Sequence, residues 1–235
     1  ESESESESER ERERESDRGG ERRGESARGR ERQAGEMAAA APERRFKLVI
    51  LGTMGVGKTC LTLRFVKGMF NDEQLPTIGA AYMTKKVATA DTQYVFEIWD
   101  TAGQERYEAI TPLYYRSAEA AVIVFDLTFK ESFQKAKEWL KRLRQERPDV
   151  DMPIALVGNK SDCDGRDVDA ELVQTFADEN GLQYFETSAK TGENVDDMFT
   201  WVAKNLPPPA AASDEAAEPN VVSPDNQGGE QKGCC

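Results

Sequence analysis

A glycine-rich segment with one lysine follows an apolar run in the first third of the chain. It reads Gly52-Thr53-Met54-Gly55-Val56-Gly57-Lys58-Thr59 and matches the spacing G-x-x-x-x-G-K-[ST]. Backbone N–H groups of such a loop can surround phosphate oxygens at the positive end of a helix. Lys58 would then neutralise the β and γ phosphates, and the Thr59 hydroxyl would ligate magnesium. The segment predicts a nucleoside-phosphate site and leaves kinases, ATPases and GTPases open; the alternative is a tight strand-to-helix turn with a lysine on the surface.

Two later loops carry residue types that suit a purine base. Asn159-Lys160-Ser161-Asp162 follows an apolar run, and the Asp162 carboxylate can accept hydrogen bonds from N1–H and the 2-amino group of guanine, which adenine lacks. Leaving that acid unpaired against adenine would cost about 2 to 4 kcal/mol. Ser188-Ala189-Lys190 supplies a second loop on the base side. Without the glycine-rich segment, both would be ordinary loop sequences.

Composition argues against several other functions. The net charge is −13 and no basic face is evident, so nucleic acid is not an expected partner. The chain has no histidine, which excludes imidazole catalysis and leaves oxygen ligands for a hard cation such as Mg²⁺. No apolar stretch reaches the roughly 18 residues that would span a bilayer. Cys60 and Cys163 are far apart in the sequence, so a disulfide framework is not expected.

The elements that would position these loops alternate along the chain. Short apolar runs predict buried strands, and they occupy residues 46–51, 120–125, 153–157 and 183–185. Helical patterns follow at residues 58–67, 131–145, 169–180 and 194–205. Two alternating segments, 81–88 and 92–99, flank Ala90 and Asp91 and predict an antiparallel hairpin. Strands that alternate with helices predict an α/β fold with a mostly parallel sheet, whose ligand loops lie at the carboxyl ends of the strands.

The segment WDTAGQERY, residues 99–107, resembles the second switch of small GTPases of the Ras superfamily. With YYRSA at 114–118 and the ending Cys234-Cys235, the chain resembles Rab proteins in particular. GAAY after Ile78 and RSAEAAVIVFDLT at 116–128 are most similar to the early-endosomal Rab subgroup. The resemblance implies a P-loop small-GTPase fold over residues 45–206, with a mixed, mostly parallel six-stranded sheet covered by helices on both faces.

The same resemblance implies roles for individual residues. Asp100 would hold magnesium through water, Gly103 would donate its N–H to the γ phosphate, and Gln104 would orient the attacking water. Thr77 matches the threonine that ligates magnesium only when the γ phosphate is present. Phe70 matches the aromatic that packs on guanine, with a core position as its alternative. The expected catalytic residues are Gln104 and Lys58, and Thr59, Thr77 and Asp100 form the expected metal set.

The expected nucleotide-binding set joins the glycine-rich loop, both switches and the two base loops. Its members are Gly52, Met54, Gly55, Val56, Gly57, Lys58, Thr59, Cys60, Phe70, Thr77, Gly103, Asn159, Lys160, Asp162, Ser188, Ala189 and Lys190.

Met54 departs from the family pattern, in which Rab proteins carry serine and related GTPases glycine at this position. A long side chain there would lie near the γ phosphate and obstruct both the water and an incoming catalytic arginine. Slow GTP hydrolysis is therefore expected, and the protein would then be a slow GTPase or a GTP-dependent scaffold that hydrolyses GTP slowly or not at all. The alternative is that the Met54 side chain bends harmlessly into solvent and does not affect hydrolysis. No arginine of the chain can be assigned as an internal finger, so fast hydrolysis is expected to need an activating protein.

The two ends of the chain lack the composition of a folded core. Residues 1–44 are expected to be a disordered low-complexity segment; because the first methionine is Met37, residues 1–36 are either translated non-coding sequence or a solvated interaction tail. Residues 207–235 are expected to be a flexible tail. By resemblance, Cys234 and Cys235 would each carry a geranylgeranyl group, and two lipids suffice for stable anchoring where one does not.

The resemblance also implies partners and a location. The expected partners are GTP and GDP with Mg²⁺, an exchange factor, an activating protein, a dissociation inhibitor, the prenylation machinery, effector proteins and a membrane reached through the lipid anchor. The expected activity is a GTP hydrolase that recruits effectors in vesicle trafficking. The expected location is the cytosolic face of endomembranes, the early endosome in particular, with a soluble cytosolic pool.

Overall fold

A computed structural model describes residues 42–89, 91–148 and 151–207 of the chain. The predictions for residues 1–41, for Ala90 at the hairpin turn, and for the tail beyond residue 207 with Cys234 and Cys235 lie outside the described residues. Six strands form one sheet. They are β1 (Glu43–Leu51), β2 (Ala80–Ala88), β3 (Gln93–Thr101), β4 (Ala120–Asp126), β5 (Ile154–Asn159) and β6 (Gln183–Thr187).

The sheet has the order β2-β3-β1-β4-β5-β6. Strand β1 pairs in parallel with both β3 and β4, and β4, β5 and β6 continue the parallel arrangement. Only the β2–β3 pair is antiparallel among the described strands, running from Ala80 opposite Thr101 to Ala88 opposite Gln93. The predicted mixed, mostly parallel six-stranded sheet and its hairpin are therefore confirmed.

Successive side chains of the central strands point to opposite faces of the sheet, and this divides the core into two layers. On β1, Leu48 and Ile50 pack into one hydrophobic cluster while Val49 and Leu51 pack into the other. The first cluster lies under helices α1 (Lys58–Lys67) and α5 (Val195–Lys204), and the second lies under α3 (Lys130–Glu146) and α4 (Ala170–Glu179). Because both faces of the sheet are covered, β4 is buried along its whole length and reads as a continuous apolar run.

Helix positions agree closely with the sequence patterns, and α1 begins and ends at the predicted residues. Two short elements carry no periodic pattern of their own: a 3₁₀ turn at Glu105–Tyr107 and the four-residue helix α2 (Pro112–Tyr115). Strand β3 continues to Thr101 and β5 to Asn159, so both strands include polar residues that the sequence patterns place in the following loops. No helix among the described residues is long and apolar enough to cross a membrane.

Candidate functional site

A cleft of about 520 Å³ opens at the carboxyl ends of the parallel strands. The loops that follow β1, β3, β5 and β6 contribute its walls, together with the loop between α1 and β2. This is the place at which α/β sheets bind ligands, because the loops on either side of a central strand diverge there. The predicted site residues that line it are Met54, Gly55, Gly57, Lys58, Thr59, Cys60, Phe70, Thr77, Gly103, Gln104, Asn159, Lys160, Asp162, Ala189 and Lys190.

The remaining predicted residues support the cleft from behind. Gly52 and Val56 are buried in the glycine-rich loop, Asp100 is buried at the end of β3, and Ser188 is buried in the loop after β6. Gly52 adopts a φ of 145°, and a Cβ there would strike the carbonyl oxygen of Val124 on β4. The glycine is required because the chain crosses the neighbouring strand too closely for any side chain.

Lys58 begins α1 and points back under the glycine-rich loop. Its ammonium group donates hydrogen bonds to the carbonyl oxygens of Gly52 and Thr53, both at 2.8 Å. Burial lowers the pKa of Lys58 to about 8, because a charged amine loses its hydration there; the nearby Asp100 carboxylate offsets only part of this effect. A phosphate anion in the cleft would supply the missing counter-charge.

Three oxygen-bearing side chains meet beside Lys58. The Thr59 hydroxyl donates to Asp100 Oδ2 at 2.6 Å, the Thr77 hydroxyl lies 2.7 Å from that of Thr59, and Thr77 also donates to Asp100 Oδ2 at 3.4 Å. The second carboxylate oxygen, Asp100 Oδ1, is buried and has no hydrogen-bond partner among the described residues. Burial raises the pKa of Asp100, and its hydrogen bond from Thr59 opposes the shift.

This oxygen cluster fits Mg²⁺, which prefers hydroxyl, carboxylate and water oxygens. Thr59 and Thr77 would be direct ligands, and the unpartnered oxygen of Asp100 would hold a metal-bound water. When bound, the ion would neutralise charge that develops on phosphate oxygens. Thr77 comes from the loop between α1 and β2, so the cluster ties that loop to the end of β3.

Gly103 lies against the glycine-rich loop. A Cβ at this position would strike the backbone of Thr53 and Met54, so no other residue fits the observed approach. Gln104 follows in the cleft wall, and Met54 lines the same cleft while 59% of its surface stays exposed. Met54 is therefore a cleft-lining residue that is largely exposed to solvent.

Asn159, the last residue of β5, bonds to the glycine-rich loop and to the end of β6 with the loop after it. Its side chain is 1% exposed; its amide group donates to the Val56 carbonyl at 2.8 Å, and its oxygen accepts from the Thr187 hydroxyl at 3.3 Å and the Ala189 N–H at 3.2 Å. A Cβ on Gly57, whose φ is 94°, would collide with the Asn159 amide. The phosphate loop and the base loops are therefore fixed to one another through a single side chain.

Asp162 and Lys160 lie on the outer side of Asn159. Asp162 Oδ1 accepts a 2.5 Å hydrogen bond from the Ser188 hydroxyl, which aligns the carboxylate at an exposed edge of the cleft. Lys160 adopts a positive φ of 71° and pairs with Asp126 Oδ2 at 2.5 Å. Asp126 ends β4 and was missed as a supporting residue, since only the sheet order places it beside β5.

Other lining residues were also missed in the sequence. Cys163 and the segment Asn71, Asp72, Gln74, Leu75 and Pro76 contact the cleft but match no short motif. Leu75 and the neighbouring Ile78 are 79% and 77% exposed. Phe70, expected to pack on a base, is half-buried: it lines the cleft and also packs against the core cluster beneath α1.

Aromatic residues form a surface beside the cleft. The Trp99 ring on β3 lies 5.2 Å from the Tyr82 ring and 5.5 Å from the Tyr114 ring, measured between centroids. The Tyr114 hydroxyl approaches Gly79, which precedes β2. This aromatic trio therefore connects the strand after the Thr77 loop with helix α2.

A glycine-rich loop between a parallel strand and a helix, with a buried lysine beside an oxygen cluster, defines a P-loop nucleotide-binding protein. A family model described as the Ras family matches residues 47–207, more than half of the chain. The chain belongs to the Ras family of small GTPases. Membership implies guanine-nucleotide binding, GTPase activity, a general use of Mg²⁺ and regulation by other proteins.

Proposed function

We propose that this protein is a membrane-anchored, Rab-like GTPase that recruits effectors in endosomal vesicle traffic. The observation that carries the nucleotide part is the Asn159 bridge, which places the phosphate loop and the loops of Asp162 and Ala189 around one cleft. A nucleotide would lie with its phosphates against Lys58 and its base between Phe70 and the Ala189–Lys190 loop. Asp162 would then read the two donors of the guanine edge.

The switch follows from the oxygen cluster and Gly103. A γ phosphate adds a ligand for Mg²⁺ beside Thr77 and an acceptor for the Gly103 N–H, neither of which GDP offers. Effectors would bind the ordered loops and the aromatic trio, where Ile78 is exposed while Trp99, Tyr107 and Tyr114 are half-buried. Hydrolysis would use Gln104 to orient water while Lys58 and the loop amides absorb charge on the phosphoryl oxygens.

Nucleotide competition tests the guanine assignment. A fluorescent GDP bound to the full chain should be displaced by GDP or GTP at far lower concentration than by ATP. Asp162→Ala should remove most of that difference. Asp164→Ala, two residues further along the loop, is the control and should keep the difference. ATP that competes as well as GTP against the wild type would refute the role of Asp162.

Slow or absent hydrolysis is a second candidate, because Met54 lines the same cleft as Gln104. Such a protein would act as a GTP-dependent scaffold that remains in the GTP-bound state. Single-turnover GTP hydrolysis should be slower for the wild type than for Met54→Ser, with and without an activating protein. Equal rates in both conditions would reject the obstruction by Met54.

The Rab-like identity rests on the segments 99–107 and 114–118 and on the paired terminal cysteines. Geranylgeranylation of Cys234 and Cys235 would anchor the protein on the cytosolic face of early endosomes, with a soluble pool held by a dissociation inhibitor. An exchange factor, an activating protein and the prenylation machinery would complete the cycle. A tagged chain should concentrate on early endosomes and become diffuse when both cysteines are replaced by serine; unchanged distribution would refute the anchor.

A further inference from the structure

Arg64 on α1 extends its guanidinium group to three backbone carbonyls near the base side of the cleft. Its Nε donates to Ala189 at 2.8 Å, its Nη2 to Lys190 at 2.5 Å and its Nη1 to Gly68 at 2.8 Å. Ala189 and Lys190 line the cleft, whereas Arg64 itself does not contribute to the cleft wall. The arginine therefore contacts residues of the cleft wall without lining the cleft itself.

Arg64 donates to two carbonyls of the loop after β6. The loop closes on itself through the Gly192 N–H to the Ser188 carbonyl at 2.8 Å and the Thr191 N–H to the Ser188 hydroxyl at 3.0 Å. Those bonds leave the carbonyls of Ala189 and Lys190 to Arg64, and Ala189 is only 4% exposed. A buried carbonyl without a donor costs about 1 to 3 kcal/mol, so the guanidinium stabilises the observed loop.

The opposite wall of the base site starts at the same arginine. Gly68 caps the C-terminus of α1 with a φ of 67°, and its N–H donates to the Arg64 carbonyl at 2.9 Å while its own carbonyl accepts from the Arg64 side chain. Phe70, two residues later, lines the cleft. Both backbone groups of Gly68 therefore bond to Arg64, two residues before Phe70.

We propose that Arg64 is a positioning residue that sets the spacing between the two walls of the base site and thereby the rate of nucleotide release. The proposal rests on the function proposed above, with the base between Phe70 and the Ala189–Lys190 loop. A planar guanidinium with several fixed donors can serve three carbonyls at once, which a lysine ammonium cannot do in this geometry. Loss of the guanidinium group would let the two walls of the base site separate, and both GDP and GTP would be released faster.

The test compares nucleotide release from the full chain and three variants. Arg64→Gln and Arg64→Lys should each release fluorescent GDP about tenfold faster than the wild type, which corresponds to charge-assisted bonds that stabilise the bound state by roughly 1.4 kcal/mol more than the transition state for release. Arg147→Gln is the matched control, since Arg147 donates to the carbonyls of Tyr115 at 2.9 Å and Ala118 at 3.1 Å, and also to that of Arg116, outside the cleft lining. Thermal unfolding of each variant measures the general loss of stability.

Supporting results are faster release in both Arg64 variants, by the same factor for GDP and for a non-hydrolysable GTP analogue, with Arg147→Gln close to the wild type.

Wild-type release rates in Arg64→Gln would overturn the proposal and leave the proposed function intact. Equal acceleration in Arg147→Gln, or acceleration of the GTP analogue alone, would also overturn it, since the first indicates general loosening and the second an effect at the phosphates. A wild type that does not bind GDP would overturn both proposals together.

Discussion

Replacing Asn159 by alanine should destabilise the protein as a whole because this buried side chain makes three hydrogen bonds, one to the glycine-rich loop and two to the end of β6 and the loop after it. The 2.8 Å bond to the Val56 carbonyl and the longer ones from Thr187 and Ala189 would all be lost. At about 1 kcal/mol for each net hydrogen bond, the free energy of unfolding should fall by about 3 kcal/mol, a large part of the 5 to 15 kcal/mol typical of a domain. The Val56 carbonyl would be left without its amide donor.

Equilibrium urea unfolding of the GDP-loaded protein measures this loss. Asn205→Ala is the control: Asn205 also donates its side-chain amide to a backbone carbonyl, that of Trp201 at 2.8 Å, but from an exposed helix end. The control should lose no more than about 0.5 kcal/mol, as is usual at the surface. A wild-type free energy of unfolding in Asn159→Ala would refute the view that this side chain holds the glycine-rich loop against the end of β6.

Three further outcomes follow from the phosphate side of the cleft. The pKa of Lys58 falls to about 8 in the folded protein, whereas the usual pKa of a lysine is about 10.4. Between these two pH values the unfolded chain binds more protons than the folded protein, so the free energy of unfolding should rise with pH. The urea midpoint of the nucleotide-free protein should therefore rise with pH in this window, and it should rise less in Lys58→Met. Asp100→Asn should weaken the dependence of GDP release on Mg²⁺, measured with and without a chelator; an unchanged dependence would remove Asp100 from the metal site. Gly103→Ala should bind GDP normally, but it should lose the extra protection from proteolysis that a GTP analogue gives, because a Cβ at this position would strike Thr53 and Met54. Full protection of the variant by the GTP analogue would contradict the close packing of Gly103 against the glycine-rich loop.

The sequence predicts those parts of the fold that local patterns determine. Helix α1 was placed at its observed ends from its helical pattern alone, and in the structure Gly57 and Gly68, both with positive φ, flank it. Strand β4 was recognised because burial on both faces demands a continuous apolar run. Strand β1 begins at Glu43, three residues before its apolar run, since pairing with β3 continues from Glu43 opposite Gln93 through polar residues.

The candidate site was predictable only in part, for a physical reason. Short motifs name the residues that would touch a ligand, and the structure places most of them around one cleft. The residues that hold those motifs in place act across long sequence separations: Asn159 bonds to Val56, Arg64 to Ala189, and Lys160 to Asp126. No local spacing encodes such pairs, because they exist only once the sheet order is set.

The aromatic trio gives the molecule an optical reporter of its own. Trp99 lies between Tyr82, on the strand after the Thr77 loop, and Tyr114 on α2, with the Lys47 ammonium 5.0 Å from its ring centroid. Indole emission responds to the polarity and charge around the ring, so a movement of either neighbour should change its wavelength and intensity. The chain has two other tryptophans, Trp139 and Trp201. Their replacement by phenylalanine would leave a single emitter with which the arrival of an effector could be timed without attaching a dye.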